Sequence, residues 1–187
     1  MESDPAQQNS GEARSELAVA DQARQRLAAG LRLPTSLLPG LAAAVTVQVG
    51  TAAYGIAAQT VAGLAVALAG VAVFLGTAAI TLHQFRRMNG VRVDGLGSQI
   101  LLGTGTIATS VYVGTLGAAT WAAFDSHWWL VAAAAVIGGV GYAFATLRWW
   151  HAYRRDPAAH AGGASPQVLA ALAVLACVGL VALVVAG

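Results

Sequence analysis

The chain has 187 residues, of which 57% are apolar and only 10% charged, with a formal net charge of +2 at neutral pH. Soluble domains are roughly 45–50% apolar and about 25% charged, so this composition cannot cover a water-facing surface, and it excludes disorder over most of the length. No dense basic stripe of the kind that binds nucleic acid accompanies the small positive charge, and the single cysteine, Cys177, allows neither an intramolecular disulfide nor a cysteine-based zinc cage.

Residues 1–12 are polar and read as a disordered tail. Five acidic residues in the first 30 positions argue against a signal peptide, which needs a basic region followed by an apolar stretch. From 13 to 33 the apolar residues Ala13, Leu17, Ala20, Leu27 and Leu31 recur at helical spacing, with Arg24, Arg26 and Arg32 around and between them. That pattern predicts an amphipathic cytoplasmic or interfacial helix, either lying on an anionic membrane surface or packed on a helical bundle. Pro34 and Pro39 break it, and Thr35 or Ser36 stands where the next helix needs a cap.

Five apolar runs follow, at about 37–59, 61–85, 98–122, 127–150 and 166–186. Each reaches the roughly 20 residues that a membrane-spanning helix needs. The stretch from Leu37 to Leu82 carries no charged side chain. As one helix it would be about twice as long as the hydrocarbon core is thick, so it must turn back. Gln59-Thr60, between Gly55 and Gly63, is the expected turn. Asp125 and Ser126, before the fourth run, are expected to cap it. The fold class is therefore all-α: an integral membrane helical bundle of five transmembrane helices over residues 34–187, preceded by the amphipathic helix.

The charges set the orientation. Segments 1–36, 86–97 and about 148–165 hold four, three and three arginines, all ten in the chain, while the connections near 59–60 and 123–127 hold none. The positive-inside rule then puts the N-terminus in the cytoplasm and, after five spans, the C-terminus outside a cell membrane. Trp121, Trp128 and Trp129 flank the outer loop, and Trp149 and Trp150 mark the inner end of the fourth span, as interfacial aromatic belts do.

A pattern recurs along the chain. His83-Gln84-Phe85-Arg86-Arg87 ends the second run and His151-Ala152-Tyr153-Arg154-Arg155 the fourth, an offset of 68 that also sets Gly70 on Gly138 and Phe74 on Tyr142. Either arginines and aromatics coincide at two inner helix ends, or residues 37–87 and 98–155 are duplicated hairpins related by an axis along the membrane normal.

The run from Ala23 to Pro34 (ARQRLAAGLRLP) and that from Phe85 to Leu96 (FRRMNGVRVDGL) resemble a group of small uncharacterised actinobacterial multi-pass membrane proteins. The resemblance covers mainly residues 23–155. It implies a multi-pass topology and a bacterial origin, and it brings no activity. The chain departs from the group in having Thr35-Ser36-Leu37-Leu38 where an aromatic-rich stretch is usual, and in its fifth run.

The chemistry within the spans is mild. Gln48 and Tyr54 lie in the first run, and the third carries Thr106, Thr109, Ser110, Gly117 and Thr120, several of them on one helical face. Such a face either lines a polar path or lets helices approach and hydrogen-bond across their contact. No ionisable residue sits at mid-depth, which argues against an ion-coupled pump. The dense cluster is the inner rim: His83, Arg86, Arg87, Arg92, His151, Arg154 and Arg155, joined by Asp94 and Asp156. Arginines at an inner leaflet attract anionic lipid at about 1 kcal/mol each, and paired guanidinium groups suit phosphate. The two histidines and two aspartates have metal-ligand chemistry, but the arginines beside them would repel a cation, so no metal is expected. No hydrolase, metalloprotease or phosphate-loop motif occurs, and no cofactor is implied.

These features favour a non-enzymatic integral membrane protein. It would be a structural or accessory component whose arginine-rich rim meets anionic lipid headgroups or a membrane partner protein, or a second copy of the chain. Two other readings stay open: a small oligomeric transporter or channel whose path runs along the threonine-rich third helix, and a membrane enzyme acting on a lipid or isoprenoid phosphate.

Overall fold

The computed structural model describes residues 5–90, 94–102 and 106–157, and all six elements among them are helices: α1 (Pro5–Gly30), α2 (Leu37–Ala58), α3 (Val61–Asn89), α4 (Asp94–Leu102), α5 (Thr106–Phe124) and α6 (Trp128–Arg155). The fifth apolar run, 166–186, lies outside the described residues. Among the described residues, four helices are long and apolar enough to cross a membrane: α2, α3, α5 from Ile107, and α6. Their outward faces expose Val61, Val73, Ile80, Val113, Val136, Ile137, Val140 and Phe144. So much contiguous apolar surface belongs in lipid, where it has no water to exclude.

Helix α2 is the hub of the bundle. It packs against α3, α5 and α6, and α5 and α6 pack on each other. Its buried stripe is Leu37, Leu41, Ala44, Val45, Val49 and Ala53, a run of short helical steps that keeps one side of the helix inside. Small residues permit the approach. A Cβ on Gly139 would overlap Thr46 and the Ala42 carbonyl, so α6 lies directly on the α2 backbone.

The two hairpins turn by different devices. Between α2 and α3, Gln59 takes the left-handed conformation (φ 49°) and Thr60 caps α3 by accepting from the Gly63 amide at 3.0 Å. Between α5 and α6, the cap expected from Asp125 and Ser126 does not form. Ser126 instead adopts φ 58°, its amide reaches the Ala123 carbonyl and the His127 amide reaches Ala122. This closes the C-terminus of α5 as a Schellman motif. His127 is left at the start of α6 and makes no side-chain capping bond. Ser36 does stand at the N-cap position of α2, but its hydroxyl donates to the Gln84 Oε1 at 3.0 Å rather than to the helix.

Helix α1 begins at Pro5, inside the stretch read from the sequence as a tail. Within the third apolar run the described helices α4 and α5 flank residues 103–105, which lie outside the described residues. Tyr142 meets both helices, with its hydroxyl on the Gln99 carbonyl and its ring 6.3 Å from that of Tyr112.

Candidate functional site

Two arginine pairs lie at one end of the bundle, where α3 and α6 finish. Each helix ends in a basic pair, Arg86-Arg87 and Arg154-Arg155, a sign of charge that suits the carbonyl-rich end of a helix. Phe85 is buried and meets Trp150 edge to face at 6.0 Å, which ties the two ends together. Tyr153, the aromatic residue of the second copy of the motif, stacks on Trp149 and Trp150. His83, Arg86, Arg87, His151, Arg154 and Arg155 are all exposed around this aromatic plug. The side chain of Arg92 lies outside the described residues, as does that of Asp94.

The N-terminal segment is fastened to the same end. Asn89 Oδ1 accepts from the Arg32 amide at 2.8 Å and its Nδ2 donates to the Arg32 carbonyl at 2.9 Å. The Arg154 guanidinium donates to the Ala29 carbonyl at 3.1 Å. Ala28 is buried there, while Leu17, Val19 and Leu27 of α1 remain largely exposed.

A second feature lies halfway along the helices. A cavity of about 220 Å³ is lined by Val45 and Gln48 from α2, Phe74 from α3, Leu101 from α4, Thr109 and Tyr112 from α5, and Tyr142 from α6. The buried amide oxygen of Gln48 accepts no hydrogen bond from any described residue. Tyr142 donates to the carbonyls of Gln99 and Ile100, each at 3.2 Å.

The two hairpins contribute to this cavity in the same way. A Cβ on Gly70 would overlap the Thr51 hydroxyl, and a Cβ on Gly138 would come within 2.6 Å of the Thr115 hydroxyl. Both threonines turn their hydroxyls back onto their own helix, Thr51 to Val47 and Gln48, Thr115 to Val111 and Tyr112. Counted from these contacts, Val45 matches Thr109, Gln48 matches Tyr112 and Phe74 matches Tyr142.

Of the threonine-rich face, Thr109 reaches the cavity. Ser110 and Gly117 are exposed on the outside of the bundle, Thr120 is half-buried, and the side chain of Thr106 lies outside the described residues. The face is therefore divided between cavity and bundle surface. Among the described residues no group of histidine, cysteine and carboxylate side chains could hold a metal. No family model matches the chain, and no curated protein or solved structure is similar to it.

Proposed function

We propose that this chain is a non-enzymatic membrane component, with its N-terminus and arginine end in the cytoplasm, that grips anionic lipid phosphate at that end. The observation that carries this reading is the contact of Phe85 with Trp150, which sets Arg86-Arg87 and Arg154-Arg155 on adjacent helix ends. Four guanidinium groups at headgroup level attract phosphate at about 1 kcal/mol each, and each offers paired donors to its oxygens. The exposed Leu17, Val19 and Leu27 of α1 suit a helix lying in the same interface beside those arginines.

The test is thermal unfolding in a neutral detergent with added phosphatidylglycerol or phosphatidylcholine. The anionic lipid is expected to raise the midpoint by several degrees at low salt, and about 0.5 M salt to remove most of that gain through screening. Replacing Arg86, Arg87, Arg154 and Arg155 with glutamine should abolish the difference between the lipids, and replacing Arg14, Arg24 and Arg26 should reduce it less. Equal stabilisation of the parent and the four-glutamine protein would overturn the reading.

A further inference from the structure

We infer that the cavity between the hairpins is a binding site for a compact, neutral, ring-bearing molecule with a hydrogen-bonding group. Its position is the first reason. Gln48, Phe74 and Tyr142 each lie near the middle of their helices, so in a membrane the cavity sits at about mid-depth, between two hairpins that meet it with matched residues. Membrane bundles built from paired halves hold their ligands at such junctions. Tyr142 also ties α4 to this junction, donating to the carbonyls of Gln99 and Ile100.

The lining states the chemistry. Phe74, Tyr112 and Tyr142 present aromatic surface, and Val45 and Leu101 add aliphatic surface. No described residue that lines the cavity carries a charge, so an ion would enter without compensation for its lost hydration. The polar contribution is focused on Gln48. An unpaired amide is costly in apolar surroundings. Its terminal torsion is soft, so half a turn presents either the amide hydrogens or the oxygen to the cavity. Tyr142 donates its hydroxyl hydrogen to α4 and keeps oxygen lone pairs to accept from a ligand. A volume of about 220 Å³ exceeds the roughly 150 Å³ that accommodates benzene in an apolar protein cavity, and so takes a one- or two-ring molecule.

Indole, which has an N–H, and indene, which has the same shape without it, are the probes. Thermal midpoints in one detergent are followed as each is titrated against the parent chain, Gln48→Leu and the cavity-filling Leu101→Trp. Thr109→Trp fills the cavity from another helix should Leu101→Trp fail to fold. Partition into micelles is common to all variants. We expect indole to stabilise the parent with an apparent affinity at least tenfold higher than for Gln48→Leu, and to give no specific shift with the filled variant. Indene should not distinguish the parent from Gln48→Leu. The inference is overturned if indole shifts all variants alike, if indene matches indole on the parent, or if tetramethylammonium stabilises the parent more than indole does. The last result would mark an aromatic box for cations, and indene matching indole would mark an apolar notch for acyl chains. None of these outcomes bears on the arginine end, whose test uses lipid and salt.

Discussion

The hydroxyl of Tyr142, at the middle of α6, donates to the carbonyl of Gln99 near the end of α4, 43 residues away in sequence, at 3.2 Å. The same hydrogen is shared with the Ile100 carbonyl. The bond ties α4 to the bundle. Tyr142→Phe removes the bond and keeps the ring against Tyr112. It should cost about 1–2 kcal/mol. Amide exchange should quicken in residues 94–102 and stay slow in α2. Uniform acceleration across the bundle would show that α4 is not held locally by this hydroxyl.

Gly70 and Gly138 should behave alike. Alanine at either drives a methyl group into a threonine of the preceding helix, and overpacking of this kind costs about 1–3 kcal/mol. Gly76, also on α3, has open space where a methyl group would go, so Gly76→Ala should be neutral or mildly stabilising. Adding Thr51→Ala should restore part of the loss from Gly70→Ala, and Thr115→Ala part of the loss from Gly138→Ala. Unfolding in detergent with increasing denaturant gives the differences. Rescue in one hairpin and not in the other would break the equivalence between them.

How much of this is legible in the sequence depends on which physical signal carries it. Membrane-spanning helices declare themselves through charge-free length, and α2, α3 and α6 are visible that way. Asp125 and Ser126 are good N-cap residues by type, and type does not reveal that Ser126 closes α5 instead of opening α6. The cavity is visible only in pieces. At the offset of 68 that aligns α3 with α6, Thr51 falls on Ala119 and Gln48 on Leu116. The first helices of the hairpins correspond at an offset of 64, four residues different. That is about one helical turn, so the face is kept while a fixed-offset comparison fails.

Gln48→Leu should raise stability. It replaces an amide whose oxygen accepts nothing among the described residues with an apolar side chain of similar size. Removing an unsatisfied buried polar group is worth about 1–3 kcal/mol, so the thermal midpoint should rise. A fall would mean that the amide makes a bond that holds the bundle together.

Asn89 should control the N-terminal segment. Its amide makes a two-way bridge to the backbone of Arg32 and also donates to the Phe85 carbonyl at 3.0 Å. Asn89→Ala should leave the stability of the bundle within about 1–2 kcal/mol of the parent while exposing the 31–36 linker. Limited trypsin digestion at the bond after Arg32 should then proceed several times faster. Unchanged cleavage would assign the linker's position to Ser36 and Arg154 instead.

A bundle that crosses the membrane with every arginine on its cytoplasmic side is the centre of the proposed function. Cys177→Ser leaves a chain without cysteine, and single cysteines at position 90, beside the arginines, and position 126, in the opposite loop, can then be tested with a membrane-impermeant maleimide on intact cells. Rapid labelling is predicted at 126, and labelling at 90 only after permeabilisation. Labelling at 90 from outside, or protection at 126 until the cells are opened, would contradict that orientation.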